Sequence, residues 1–339
     1  MAHEISKVNG IAQYASTQQE WHFFETKHNI ILPGDTLEQV LAKCGMSYKI
    51  KKAFVRYAAQ RLEAGALAED LKKYNDKVVL FRDDTGAPLG VVSDSYQIVQ
   101  PEEVLATIMD FAAVEGLTIE SAGVLFNGRK YFATGKITNA VVEAVDGVGG
   151  RDKIIPYLLA HSTADGSGRT EARWTGVRTV CNNTLRMALG SAACFTLSHR
   201  SKFIQAEAQG VAEKANAEFH AYMETARTLA KAKCTQKDAE EFTRLLLMKS
   251  KAGDVESIIT DSDKVRESYV YRSIMRLFNG EGMGAALETS RETQWGWLNA
   301  VTQHYDHETR ARTEDARIAN ALWGTGDTMK QAAYALVTQ

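Results

Sequence analysis

The chain has 339 residues, of which 45% are hydrophobic and 24% charged, so it can bury the core of one large domain or of two ordinary ones. A net charge of −2 excludes a uniformly basic surface but leaves room for a local basic face. Four widely spaced cysteines without a CxxC pair exclude a disulfide scaffold and indicate a cytoplasmic protein. Because the sequence shows no secretory signal and no run of 18 apolar residues, we expect neither secretion nor a membrane span.

The first part of the chain predicts an arm followed by helices. Residues 1–35 are mixed in character and are typical of an arm or lead-in. Thr36 can cap a helix over Leu37–Cys44, because its hydroxyl can accept a backbone N–H of the first turn. Apolar residues recur at helical spacing over 54–64 and 66–74, so we expect helices there.

Two β-hairpins separated by a helix are expected next. Turn residues at 83–86 and the pair Asn127-Gly128 each lie between strand-like runs, and Asn-Gly is a strong hairpin signal. Pro101 suits the first turn of a helix, and the two glutamates that follow it favour the helix N-terminus. The predicted elements are strands over 77–81 and 89–92, a helix over 102–114, and strands over 117–126 and 129–137.

Beyond residue 150 the pattern changes from strands to helices. We expect strands over 154–160, 170–181 and 193–199, a short helix over 182–189, and then helices over 203–249, 264–278 and 291–337. The sequence therefore predicts an α+β fold, in which β-hairpins and an antiparallel sheet pack with helices and precede a helical C-terminal part. The predicted division is an N-terminal arm (1–35), an α+β core domain (36–202) and a helical C-terminal region (203–339).

Positive charge is concentrated between residues 166 and 202. This segment holds one acid, Glu171, against six basic residues, namely Arg169, Arg173, Arg178, Arg186, Arg200 and Lys202. Two smaller basic groups precede it, namely Lys49, Lys51, Lys52 and Arg56, and then Arg129 and Lys130. Solvated faces normally mix the two signs of charge, so the excess predicts a functional surface.

The residue types within these clusters suit a nucleic acid. Arginine donates two hydrogen bonds to a phosphate and keeps its charge. Trp174 could stack on a base, and Asn182 and Asn183 offer amide groups at a predicted strand-to-helix corner. The alternative is structural: the arginines would pair with carboxylates elsewhere in the chain, and Trp174 would belong to the core.

The remaining candidates favour structural roles. His161 lies at a predicted strand end, and because no nucleophile motif accompanies it, a structural histidine is expected. His304, Asp306 and His307 lack the spacing of metal ligands and are expected on a solvated helix face. Aromatic residues from Trp295 onward recur at helical spacing, which is typical of core packing or of a contact between protomers. We expect no cofactor and no metal.

Three segments resemble the phage/plasmid-like protein family, whose main domain is catalogued as domain of unknown function 932. They are residues 96–100 (YQIVQ) before a predicted helix, 121–123 (SAG) in a predicted hairpin, and 178–185 (RTVCNNTL). The stretch from Trp295 to Arg317 resembles the tail of that family, so the resemblance covers most of the chain. It implies a phage or plasmid context in a bacterial host and carries no settled activity.

The order hairpin–helix–hairpin also resembles, at the level of fold, the strand-annealing recombination proteins, which hold single-stranded DNA in rings or filaments. Together with the basic clusters, this resemblance predicts a cytoplasmic, single-stranded DNA-binding protein that anneals strands as a homo-oligomer. The alternative is a protein-binding module of a mobile element that inhibits a host defence system. An enzyme is not expected, because the sequence lacks paired carboxylates, metal-ligand spacing and nucleophile motifs.

Overall fold

The computed structural model describes residues 7–8, 11–17, 29–58, 71–115, 117–137, 143–147, 150–178, 183–186, 194–196, 219–249 and 262–338. Helices and mixed sheets both contribute to it, and its C-terminal part is helical, so the predicted α+β class is confirmed. The chain divides into two compact units. Unit 1 comprises Met1–Gly135, Leu159–Ala172 and Phe195–Gln205, and unit 2 comprises Lys136–Leu158, Arg173–Cys194 and Ala206–Gln339. The predicted division at residues 35 and 202 stays a prediction.

The described elements follow in chain order. The strands are β1 (Lys7–Val8), β2 (Ile11–Ala12), β3 (Tyr14–Ser16), β4 (Asn29–Ile30), β5 (Ile50–Tyr57), β6 (Lys72–Arg82), β7 (Pro88–Ser93), β8 (Leu117–Leu125), β9 (Lys130–Ile137), β10 (Glu143–Ala144), β11 (Lys153–Thr163), β12 (Glu171–Arg178), β13 (Asn183–Arg186) and β14 (Cys194–Thr196). The helices are α1 (Leu37–Cys44), α2 (Pro101–Glu115), α3 (described over 219–231), α4 (Gln236–Lys249), α5 (Ser262–Arg266), α6 (Tyr269–Arg276), α7 (Gln294–Gln303), α8 (Glu314–Trp323) and α9 (Thr325–Val337).

In unit 1, two helices pack on a sheet whose strand order is β4-β3-β8-β9. β3 pairs antiparallel with β8 and parallel with β4. The apolar residues of α2 lie on the side that faces β8, and Leu105, Ile108 and Phe111 are completely buried. Burial of this stripe stabilises the helix on the sheet, since each large apolar side chain contributes roughly 1.5–3 kcal/mol.

Local signals in the sequence determine the ends of several unit 1 elements. Helix α1 begins after Thr36, whose hydroxyl accepts the N–H of Gln39 while the Gln39 side chain accepts the N–H of Thr36. Helix α2 begins at Pro101, as predicted. The predicted hairpin around Asn127-Gly128 is also confirmed, with positive φ angles of 58° and 104° at the two turn residues.

A separate antiparallel sheet in unit 1 has the order β5-β6-β7. Its β6–β7 hairpin confirms the prediction, but β6 begins at Lys72, earlier than expected. The predicted helices over 54–64 and 66–74 are wrong for residues 54–57 and 72–74, which belong to β5 and β6; residues 59–70 lie outside the described part. Cross-strand pairing overrides helix propensity here, since strand preference depends strongly on neighbouring strands.

In unit 2, Thr175–Arg178 of β12 pair antiparallel with β13, and β10 pairs with the start of β11 at Lys153 and Ile154. The predicted helix over 182–189 is wrong for residues 183–186, because Asn183–Arg186 pairs antiparallel with β12. The C-terminal helices are confirmed over their described residues, and their core contains Trp297, Leu298 and Val301 of α7. The aromatic repeat near Trp295 therefore forms core, one of its two predicted roles.

Candidate functional site

The paired strands β5 and β6 form a long, exposed ribbon in unit 1. Their register places Val55 opposite Tyr74, and the next two pairs follow toward the end of the ribbon. Strand β7 ends at Ser93 opposite Lys77, so among the described residues the last part of the ribbon consists of two strands. We call residues 49–57 together with 72–77 the basic ribbon.

The basic ribbon carries a large excess of positive charge. It holds one acidic residue, Asp76, against seven basic residues, namely Lys49, Lys51, Lys52, Arg56, Lys72, Lys73 and Lys77. Every one of these seven side chains is exposed. A net charge of +6 on this short segment contrasts with −2 for the whole chain, so positive charge is segregated onto one element.

The lysines near the base of the ribbon have partners within unit 1. Lys51 Nζ lies 3.7 Å from a carboxylate oxygen of Asp83, Lys49 pairs with Glu102, and Lys52 donates to a main-chain carbonyl. Such exposed ion pairs are worth little, about 0–1 kcal/mol. The ammonium groups can therefore exchange these partners for an anionic ligand at small cost.

Three aromatic side chains lie among the basic ones on this ribbon. Phe54, Tyr57 and Tyr74 are 60%, 47% and 45% exposed. The Tyr57 and Tyr74 rings meet edge to face, with centroids 6.4 Å apart and an interplanar angle of 76°. The Lys73 ammonium lies 3.6 Å from the centroid of the Phe54 ring, which is a cation–π contact.

A network of hydrogen bonds joins the base of the ribbon to the turn before β9. Arg82 is buried, donates twice to the Asp84 carboxylate at 2.9 and 2.7 Å, and stacks 3.8 Å from the centroid of the Tyr48 ring. Its hydrogen bonds to Asp84 lower the pKa of that carboxyl. Tyr48 in turn donates to the carbonyl of Gly128, and Arg82 donates to the carbonyl of Asn127. The turn is thereby held against the ribbon.

Two of the predicted basic groups and Arg169 of the third group lie in unit 1. Arg129 follows the turn and is exposed, while Lys130 is half-buried. The main-chain carbonyl of Arg129 accepts the N–H of Ala164 at 2.7 Å, and the loop after Ala164 carries the exposed Arg169. Lys49–Arg56, Arg129–Lys130 and Arg169 thus all belong to unit 1.

Two residues of the predicted surface are buried in unit 2. Arg173 is 5% exposed and donates to Asp327 at 3.1 Å, and Trp174 is 2% exposed. Neither side chain is accessible to a ligand in this structure. Both residues therefore have the structural roles that the alternative gave them, since Arg173 is ion-paired and Trp174 belongs to the core. The net charge of the segment could not reveal the burial of Arg173, because a buried arginine and an exposed one contribute equally to that charge.

The other predicted residues are placed only in part. Arg178, Asn183 and Arg186 lie in the paired strands β12 and β13, where the structure describes the backbone. Asn182, Arg200 and Lys202 lie outside the described residues. Their assignment to a nucleic-acid surface stays a prediction.

The candidate histidines His161 and His304 are both buried. His304 and Asp306 are 1% and 0% exposed, so the expectation of a solvated helix face is wrong: the turn after α7 faces the helical core. His304 Nδ1 lies 2.8 Å from the Ser273 hydroxyl, and burial lowers the pKa of this histidine to about 4. Among the described residues, no group of three His, Cys, Asp or Glu side chains is arranged to hold a metal ion.

The ribbon residues that the sequence reasoning missed are Phe54, Tyr57, Lys72, Lys73, Tyr74 and Lys77. A signal was present, because residues 50–57 (IKKAFVRY) contain β-branched and aromatic residues between basic ones. The interpretation of residues 54–57 and 72–74 as helical concealed this signal. Once the two segments are paired as strands, the seven basic and three aromatic side chains form a single ribbon.

These features define an α+β protein with an exposed basic and aromatic ribbon. The chain belongs to the family described as Domain of unknown function (DUF932), whose family model matches residues 88–323. The match begins at the first residue of β7 and ends at the last residue of α8, so β5 and β6 precede it. No curated protein and no solved structure matches the chain. In the described part of the chain, no helix combines the length and apolarity needed to cross a membrane.

Proposed function

We propose that this protein binds single-stranded nucleic acid, with single-stranded DNA as the first candidate, through the basic ribbon. The observation that carries the proposal is the concentration of six exposed basic residues and three exposed aromatic residues on one pair of strands, with a seventh exposed basic residue, Lys49, directly before β5. Proteins that bind single strands without sequence preference combine a positive surface for the backbone with aromatic platforms for the bases. The ribbon supplies both.

The charge along the edge strand β5 favours a nucleic acid as the ligand over a partner protein that would add a strand to the sheet. β5 is an edge strand of its sheet, and an open edge can pair with a strand of another chain. Charged residues, lysine above all, discourage such pairing, and Lys51, Lys52 and Arg56 lie along this edge. The same residues attract phosphates, since release of condensed counterions drives the association.

The full proposal is a strand-annealing, homo-oligomeric protein that acts without catalysis in the cytoplasm of a bacterial host of a phage or plasmid. Support for annealing comes from the order hairpin, helix, hairpin over β6–β7, α2 and β8–β9, and from a binding surface that suits unpaired strands. Arg129, Lys130 and Arg169 extend the positive surface within unit 1.

The test measures binding of a fluorescein-labelled single-stranded oligonucleotide by anisotropy across a salt series. The variant Lys51→Ala/Lys72→Ala/Lys73→Ala removes three ribbon charges. We expect weaker binding at low salt and a slope of log affinity against log salt that is shallower by about 2, since each phosphate contact on a single strand contributes about 0.7.

The matched control removes three exposed lysines from unit 2, with Lys231→Ala/Lys237→Ala/Lys264→Ala. This control changes the net charge equally and should leave the salt slope unchanged. Undetectable binding by the wild type at low salt, or equal losses in both variants, would contradict the proposal. Recovery of a host protein with the chain, without nucleic acid, would favour the alternative of a defence-inhibiting module.

A further inference from the structure

The two faces of the basic ribbon carry different aromatic chemistry. Residues opposite each other on paired strands share a face, and successive residues alternate between faces. Tyr57 pairs with Lys72 and Val55 pairs with Tyr74, so these four residues share what we call the tyrosine face. Arg56 pairs with Lys73 on the other side. The register is interrupted between Phe54 and Val55, but the Lys73 ammonium lies over the Phe54 ring, which places Phe54 on the side of Lys73. We call that side the phenylalanine face.

The phenylalanine face already has a cation over its aromatic ring. The Lys73 ammonium lies 3.6 Å from the centroid of the Phe54 ring, so one side of that ring is occupied. A base that stacked there would displace the ammonium and lose the cation–π contact. Lys73 and Arg56 remain suited to phosphates, since both are exposed.

The tyrosine face has open aromatic surface. Tyr57 and Tyr74 are each almost half exposed, and their rings are nearly perpendicular, at 76°. An edge-to-face pair uses the edge of one ring and one side of the other, so flat aromatic surface stays available beside the pair. Lys72, directly opposite Tyr57, supplies a positive charge next to that surface.

We propose that the tyrosine face is a base-stacking site, in which an unpaired base lies on Tyr57 or Tyr74 and Lys72 contacts a neighbouring phosphate. The phenylalanine face contacts phosphates alone. This inference rests on the proposed function and deepens it, because it names the kind of nucleic acid that the ribbon prefers, namely strands with unpaired bases. Inside a duplex both sides of each base are covered by neighbouring bases, so the tyrosines can stack only on bases released from pairing. The site therefore selects single strands over duplexes.

Stacking uses the flat side of a base and contacts neither the sugar nor the hydrogen-bonding edge. An unpaired base of DNA and one of RNA are therefore equivalent ligands for this site. Discrimination between the two requires a contact to the 2′-hydroxyl. The test therefore includes a DNA strand and an RNA strand of the same sequence, and we expect them to bind within a few-fold of each other. A preference for one of them that survives removal of both tyrosines would arise elsewhere on the molecule.

The decisive probe is an abasic strand, which keeps every phosphate and lacks the bases. Affinities are measured for a natural single strand, an abasic strand of equal length and a duplex. We expect the wild type to bind the natural strand at least about fivefold more tightly than the other two, because stacking of one base contributes about 1–3 kcal/mol, which corresponds to about 5- to 150-fold in affinity. In the variant Tyr57→Leu/Tyr74→Leu this preference should disappear, whereas affinity for the abasic strand should not change.

The matched control Tyr57→Phe/Tyr74→Phe keeps both rings and should keep the preference. Circular dichroism and thermal unfolding of each variant check the fold, which these exposed side chains should affect little. If the wild type binds the natural and the abasic strand equally, the stacking site is refuted while the proposed function survives. If it binds no strand, both fail. Photo-crosslinking of a strand containing 5-iodouracil should modify Tyr57 or Tyr74, and crosslinks confined to other residues would overturn the assignment.

Discussion

Arginine occupies two opposite environments in this protein, and the difference determines what each residue can do. Arg56 is exposed on the ribbon, where its guanidinium can meet a phosphate. Arg173 is 5% exposed and forms an ion pair with Asp327. A buried pair has lost its hydration, so removal of one partner leaves an uncompensated charge in the interior. The same residue type therefore contributes to binding at one position and to folding at the other.

We expect Arg173→Ala to lower the free energy of unfolding by about 3 kcal/mol or more, because Asp327 would stay buried without its partner. The measurement is denaturant unfolding followed by circular dichroism. Nucleic-acid affinity of the folded variant, and its dependence on salt, should stay at the wild-type level.

A double-mutant cycle with Asp327→Ala separates the pair from packing. If the pair is the cause, the double variant should be less destabilised than the sum of the two single variants. Additive losses, or a change in salt dependence with Arg173→Ala, would instead assign this residue to the binding surface.

Elements whose ends are determined locally follow directly from the sequence. The predicted N-cap at Thr36 gave the start of α1, and Asn127-Gly128 predicted the β8–β9 hairpin. Each signal works within a few residues, through one hydrogen bond or one backbone conformation. Such features do not depend on what the rest of the chain does.

Elements that depend on distant partners could not be obtained in this way. Residues 54–57 and 72–74 contain lysine and arginine, which favour helices, yet they pair with each other across the intervening chain. Residues 183–186 are a strand because β12 lies beside them. The basic ribbon, and with it most of the candidate site, exists only through such pairing. The sequence therefore predicted the basic residues from Lys49 to Arg56 but neither the aromatic residues nor the lysines of β6.

The contact between α6 and the turn after α7 should make stability depend on pH. His304 lies against Ser273 in the helical core, and Ser273 donates to Glu308 at 2.6 Å. Burial, partly offset by Glu308, lowers the pKa of His304 from 6.5 to about 4. The folded state therefore holds this histidine neutral.

The neutral histidine contributes stability that is fully present above pH 6.5 and is lost as the pH falls toward 4, because the unfolded state takes up the proton first. A shift of this size corresponds to at most about 3 kcal/mol. We expect the free energy of unfolding to fall over this range in the wild type and to fall less in His304→Asn, which keeps a polar group near Ser273. Parallel pH profiles for the two proteins would show that His304 is not responsible.

At the scale of the whole molecule, charge is separated rather than balanced. The chain has a net charge of −2, although the basic ribbon alone carries +6, so the remaining residues together carry −8. An acidic body repels a polyanion while a positive segment attracts it, and such an asymmetric field orients the encounter. The location of a charge should therefore affect association more than the net charge does.

This expectation separates two variants with equal net charge. Lys72→Glu/Lys73→Glu and Lys237→Glu/Lys264→Glu each move the chain from −2 to −6, since every reversal subtracts two charges. We expect the ribbon variant to associate with a single-stranded oligonucleotide roughly tenfold more slowly or worse at low salt, and the unit 2 variant to stay within a few-fold of the wild type. Stopped-flow fluorescence measures both rates.

Reversal at position 73 also places a glutamate opposite Arg56, a favourable cross-strand pair, so the ribbon should stay folded. Equal slowing of both variants would mean that net charge, and not the ribbon, controls the encounter.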